Sequence, residues 1–209
     1  MGAIPTSDLP GHRHWGERAD FALDKCQESQ GVDFKESLPW DEIRPKVIRA
    51  ALAMGNLRDG GLLIIGASER SSEWNLTGIS EEHLGTYSVD DVIDQVNTHI
   101  SPTVEIDVVT HEYRRLNLRF LVIGIREFSD IPLVCRKSLD AERLFAGDIL
   151  VRPPGKPESR KIRSAQELHD LIELAAEKRA RMILERGRRV GLVATNTSKH
   201  QFEAELEGL

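Results

Sequence analysis

Asn56-Leu57-Arg58-Asp59-Gly60-Gly61-Leu62-Leu63-Ile64-Ile65-Gly66-Ala67-Ser68-Glu69 is the stretch on which the fold turns. Asp59-Gly60-Gly61 is a turn sequence, because paired glycines permit positive φ and close backbone approach. The turn leads into Leu62 to Ala67, where four aliphatic residues follow one another unbroken. That pattern reads as a fully buried strand rather than an alternating, half-wet one. The glycine pair has a second reading, in which exposed N–H groups meet a phosphate.

Working upstream, Asn56 ends a helix running from about Glu42 to Met54. Its apolar residues Ile43, Val47, Ala50, Ala51 and Met54 recur at helical spacing. Asp41 is placed to cap it, and Pro45 falls in the first turn, where a missing N–H costs little. Before it, Gly31 breaks the chain ahead of a short strand, Val32-Asp33-Phe34-Lys35, and Trp15 to Lys25 reads as a first helix.

Downstream, Ser68 to Tyr87 reads mostly as loop. Ser88 with Asp91 three positions on opens another helix, which Ser101-Pro102 stops. Val104 to Val109 and Leu118 to Ile125 form an expected antiparallel hairpin. Pro132 to Cys135 and Ile149 to Arg152 add two short strands. Ser164-Ala165-Gln166-Glu167 is a capping box before the longest helix, about Ala165 to Arg186. Helices mixed with mainly antiparallel strands give the class α+β. The expected organisation is a flexible N-terminus over 1–14, one domain over 15–187, and a weakly ordered tail over 188–209.

The 209 residues are 40% hydrophobic and 30% charged, a soluble globular composition with enough chain for a sizeable core. No apolar run approaches the ~18 residues of a membrane helix, and Met1 to Asp20 lacks the apolar stretch of a secretory leader. Cys26 and Cys135 have no paired spacing and fit free thiols in a reducing cytoplasm. A net charge of −6 argues against nucleic acid until its distribution is read. Arg136 to Arg189 holds 14 Lys/Arg and 9 Asp/Glu, a balance of +5, which leaves −11 for the remainder. A basic C-terminal third permits a local phosphate-binding surface; a solvated charged helix is the alternative. P-loop, dinucleotide-binding and zinc signatures are absent.

The chemistry-bearing residues are acids in two segments. In Asp33-Phe34-Lys35, residues two apart on a strand share a face, so Asp33 and Lys35 project together. Such an acid can hold a metal ion and such a lysine can steady charge developing on a phosphate. Glu28, five residues earlier, and Glu69, just past the buried strand, are candidates for the same ion. The alternative is surface acids and an Asp33–Lys35 ion pair.

This combination resembles the Schlafen-type AlbA-like domain family. Glu28, Val32-Asp33-Phe34-Lys35-Glu36-Ser37, the helix with Ala50 to Asn56, and Gly60-Gly61 before Leu63-Ile64-Ile65-Gly66 carry the resemblance. Gly78-Ile79, Ile100-Ser101-Pro102, Pro132 and Val151-Arg152 follow as later landmarks. The resemblance spans about residues 20 to 175. It implies a mixed helix-and-strand nucleic-acid-binding domain. In nucleases of the family three acids bind a divalent ion, and they fall on Glu28, Asp33 and Glu69, with the Asp and Glu types exchanged at the last two. The implied activity is a metal-dependent endoribonuclease acting on structured RNA such as tRNA, with Mg²⁺ or Mn²⁺ on those acids and Lys35 beside them. Arg136, Arg152, Lys156, Arg160, Lys161 and Arg163 would hold the RNA or DNA backbone. A homodimer would supply the second lobe that family nucleases use. Two alternatives stay open: a non-catalytic DNA- or RNA-binding regulatory module, and a protein-interaction or nucleotide-sensing subunit.

Overall fold

A computed structural model describes residues 3–70 and 73–191 of the chain. Its centre is a four-stranded sheet in the order β1-β2-β7-β6, formed by Val32–Lys35 (β1), Gly61–Ile65 (β2), Leu118–Ile125 (β7) and Ile106–Tyr113 (β6). β1 runs parallel to β2, and the other two pairings are antiparallel. The sheet is thus mainly antiparallel, as the α+β reading expects. The uninterrupted apolar run of β2 is explained by cover on both faces. Leu62 and Ile64 pack with Trp15, Ala19 and Leu23 of α1 (Arg13–Lys25), while Leu63 and Ile65 pack with α2 (Trp40–Met54) and α4 (Val89–Thr98).

The register carries this two-sidedness onto β1. Asp33 pairs with Leu63 and Lys35 with Ile65, whereas Phe34 pairs with Ile64 and joins the α1-side core. Strand alternation therefore sends Asp33 and Lys35 toward α2 and Phe34 the other way. The glycine pair serves the turn into β2. Gly60 has φ 61°, and a Cβ there would lie 2.0 Å from the Ile125 carbonyl oxygen, so no side chain fits.

Several expectations are corrected. α2 starts at Trp40, with Pro39 at the cap position; Asp41 lies inside the first turn, where its charge favours the helix dipole without capping it. The segment from Ser68 onward is not mostly loop. β3 (Ala67–Arg70) and β4 (Glu73–Leu76) form a hairpin, and a short α3 (Glu81–Leu84) follows. Two four-residue strands, the second alternating exposed and half-buried positions, give too few apolar residues to stand out. Within the first fourteen residues, Pro5 to Ser7 lie along β6. Ser7 N–H donates to the Thr110 carbonyl at 2.8 Å and Thr110 N–H to that of Pro5 at 2.8 Å. The Ser7 hydroxyl meets His111 Nδ1 at 2.9 Å.

The later elements close the α2 side. β5 (Ile100–Ser101) pairs with β8 (Val134–Cys135), and β9 (Leu150–Val151) pairs with β10 (Arg160–Lys161). Asn56 joins them to α2: its buried amide donates to the Leu133 and Leu150 carbonyls at 3.0 Å each and accepts from Leu133 N–H at 2.8 Å. Ser164 caps α5 (Ala165–Arg189), as its motif predicts. Leu171 and Leu174 seat that helix, and the Lys178–Glu127 and Arg179–Asp130 pairs hold its middle. Of the tail expected over 188–209, residues 188 and 189 end α5, and 192–209 lie outside the described residues. Among the described residues, no helix is long and apolar enough to cross a membrane.

Candidate nucleic-acid interface

Glu28 sits just before β1 in a tight turn closed by Ser29 and Val32, and this turn folds its carboxyl back onto the strand. Glu28 Oε1 accepts from Phe34 N–H at 2.9 Å, and the carboxyl also hydrogen-bonds Asp33. Burial, then the bond to Asp33 and its charge, push Glu28 up to about 7. Asp33 moves the other way. Its burial favours the neutral acid, but Lys35, the Glu28 bond and Arg152 outweigh that and hold it below the usual carboxylate range. The two carboxyls therefore shift in opposite directions, Glu28 toward the neutral acid and Asp33 toward the anion.

Both oxygens of Asp33 already have cationic partners. Lys35 Nζ bonds Oδ1, and Arg152 Nη2 donates to Oδ2 at 2.8 Å. The Arg152 side chain is 1% exposed. Its remaining donors go to Ser159 Oγ at 3.1 Å and the Gln30 carbonyl at 3.3 Å. Arg152, expected to hold a nucleic-acid backbone, is instead the internal counter-ion of Asp33. With each guanidinium nitrogen bonded inside the protein and almost no exposed surface, it is part of the fold rather than of a free surface.

Glu69 does not join this pair. It is exposed on β3, directly opposite Trp74, whose ring packs on Phe34 at 5.1 Å between centroids. Phe34 is the β1 residue that points away from Asp33 and Lys35, so the hairpin carries Glu69 toward the opposite face of the sheet. Among the described residues, no three His, Cys, Asp or Glu side chains are gathered as a metal ion requires. A divalent ion on Glu28, Asp33 and Glu69 does not fit this arrangement, since both Asp33 oxygens hold cations and Glu69 stands apart on the hairpin.

What the structure does assemble is a basic cleft. Its inner part, about 340 Å³, is lined by Asp33, Lys35 and Arg152 from the strands and by Lys46 and Arg49 from α2. The adjoining part, about 460 Å³, continues past Arg49 to Arg143, Phe145, Arg160, Lys161 and Arg163. Asp33, Glu142 and Glu158 are the acids along both. Several cations are tied internally: Arg160 to Glu167, Lys161 to Asp148 at 2.8 Å, and Arg49 to the Glu142 and Ser159 carbonyls at 2.9 and 2.7 Å. Lys46, Arg143 and Arg163 are exposed and form no ion pair among the described residues.

Of the predicted backbone-holding residues, the cleft thus gathers Arg160, Lys161 and Arg163 on its rim and Arg152 in its floor. Arg136 and Lys156 are exposed but line neither part. Lys46, Arg49 and Arg143 were not legible as site residues. Lys46 and Arg49 lie three apart on the polar side of α2, and that spacing was the available signal. Arg143 lies just past a short 3₁₀ turn with left-handed backbone, φ 53°, and had none. The tryptophans are not a base-binding set: Trp15 and Trp40 are buried, and Trp74 packs on Phe34.

A sheet covered on both faces, with a polar cleft on the α2 side, defines a mixed helix-and-strand domain. The family model described as Schlafen, AlbA_2 matches residues 28–156, and the chain belongs to that family. No curated protein matches it. Among solved structures it is similar to the DIP2311 protein of Corynebacterium diphtheriae, at 16% identity and a TM-score of 0.47 over 76% of this chain and 28% of that one. It is also similar to the N-terminal domain of a RecG-related protein from Nitrosomonas europaea, at 13% identity and a TM-score of 0.42 over 71% of this chain and 94% of that one. The chain therefore spans just over a quarter of the length of the first.

Proposed function

We propose that this domain binds nucleic acid along the basic cleft, with Lys46, Arg143 and Arg163 as its principal phosphate contacts. The observation that carries the reading is a run of exposed, unpaired cations lining one cleft of a chain whose net charge is −6. Membership of the Schlafen AlbA_2 family, which is of nucleic-acid-binding type, supports it. The buried Asp33–Arg152 pair holds the cleft floor in shape. Binding through phosphates releases condensed counterions, so affinity must fall as salt rises. The test is fluorescence anisotropy of the purified chain with labelled RNA and DNA oligonucleotides between 50 and about 200 mM salt. A linear fall of log K with log salt supports the reading; binding that ignores salt, or none to any nucleic acid, ends it.

A metal-dependent endoribonuclease acting on structured RNA such as tRNA is the second reading. In its favour, Asp33 and Lys35 line the cleft that would hold the backbone, and Glu28 lies beside them at β1. It requires Arg152 to release Asp33 and Glu69 to cross to the other side of β1. Incubating total tRNA with the protein and Mn²⁺ or EDTA, beside Asp33→Asn and Glu69→Gln, separates the two readings. Cleavage that needs metal and both acids would replace the binding module with the nuclease. A homodimer providing a second lobe would be seen as a doubled mass by light scattering. The free thiols of Cys26 and Cys135 fit a reducing, cytoplasmic setting.

A further inference from the structure

Phe145 is the large exposed apolar residue of the basic cleft. It is 53% exposed, whereas its neighbour Leu144 is completely buried. The other exposed large apolar residues, such as Phe21, Leu116 and Ile131, line neither part of the cleft. An exposed aromatic alone says little. Here the ring stands on a hydrogen-bonded turn and is flanked by charge.

Its position is set by the turn Phe145 to Asp148. Phe145 N–H donates to Asp148 Oδ2 at 2.6 Å, and Asp148 N–H returns a bond to the Phe145 carbonyl at 3.0 Å. Gly147 N–H ties the turn to the Cys135 carbonyl of β8 at 2.7 Å, and Leu139 and Leu144 bridge at its base. Lys161 Nζ lies 4.7 Å from the ring centroid and is steered there by its bond to Asp148. Arg143 and Arg163 line the same part of the cleft. A rigid aromatic face with cations around it is what single-stranded nucleic acid requires, since phosphates meet the cations and a splayed base stacks on the ring. A duplex keeps its base faces inside the stack and offers only phosphate and groove.

Building on the proposed nucleic-acid reading, we infer that Phe145 is a stacking platform for an unpaired nucleobase, so that the domain selects single-stranded segments over duplex. Lys161 occupies one side of the ring, and the base takes the exposed remainder. Since the ring is largely in solvent, its removal leaves the fold intact.

The test uses the full chain, Phe145→Ala, Phe145→Trp and the double variant Arg143→Ala/Arg163→Ala. Each is titrated into a labelled single-stranded 12-mer, the same sequence as a blunt duplex, and a single strand carrying 2-aminopurine. Phe145→Ala is expected to lose about 5- to 150-fold in single-strand affinity, the range for stacking one base, with duplex affinity and salt slope unchanged. Phe145→Trp keeps the affinity, and both it and the unsubstituted chain quench 2-aminopurine where Phe145→Ala does not. Equal losses on single strand and duplex, or undiminished single-strand binding and quenching by Phe145→Ala, overturn the platform. If the unsubstituted chain binds neither oligonucleotide, the nucleic-acid reading fails and the platform with it. Normal salt-dependent binding in Phe145→Ala, lost in the double arginine variant, removes the platform alone.

Discussion

The two ends of the cleft use the same residue types to opposite purposes. At the inner end, Asp33 holds Lys35 and Arg152 on its two oxygens, and the Arg152 side chain is 1% exposed. At the outer end, Arg143 and Arg163 are exposed and unpaired among the described residues. An arginine whose donors are satisfied inside the protein is part of the fold; one whose donors face water is available to a ligand. Charge counted along the sequence treats both alike, and it is burial that separates them.

Removing Arg152 is the strongest way to test that difference. Arg152→Ala strands the Asp33 carboxylate in a buried site, so it should cost about 3–5 kcal/mol of stability by urea denaturation. A loss below ~1 kcal/mol, the range of a surface pair, would put Arg152 back among ligand-binding residues. The outer end should respond in affinity rather than stability. Arg143→Ala/Arg163→Ala should leave Tm unchanged and reduce the salt slope for single-stranded binding by about 1.4, two phosphate contacts' worth. A lowered Tm with an unchanged slope would reverse the assignment.

The smallest effect expected is a pH dependence at the inner end. Glu28 holds its proton to about pH 7 in the fold but only to about 4.5 when unfolded, so its stabilisation is complete below about 4.5 and lost as pH rises through 7. Asp33 has the opposite sign: its folded value is depressed, so its contribution is present above its ordinary value of 3.8 and lost as pH falls through the folded one. Gln at position 28 keeps an acceptor for Phe34 N–H and a donor for Asp33 at every pH. Glu28→Gln should therefore match the unsubstituted chain in Tm at pH 5 and exceed it at pH 8. The same offset at both values would exclude the raised Glu28 value.

Much of the framework was readable in advance because it rests on local rules. The apolar run Leu62 to Ile65, the helical spacing in α2, the Ser88 and Ser164 caps and the β6–β7 hairpin each follow from residues within one element. The pairing of Asp33 with Lys35 was legible from strand alternation, although the sequence left open whether it served a metal or an ion pair. Glu69 shows where such reading stops. Its side of the sheet depends on a hairpin too short to announce itself and on Trp74 packing against Phe34. Spacing along the chain does not announce that Trp74 will meet Phe34 of β1.

By itself, the sequence determined the mixed helix-and-strand class, the buried strand at its centre, the resemblance to its family and the proximity of Asp33 to Lys35. These depend on turn chemistry, hydrophobic period and spacing along the chain. Tertiary structure decided which charges face one another. It brought Arg152 to Asp33 across 119 positions, set Arg49 against the Glu142 carbonyl, and placed Phe145 between cations from distant elements. Those outcomes depend on long-range packing and desolvation, and a charge's role is fixed only once its surroundings are.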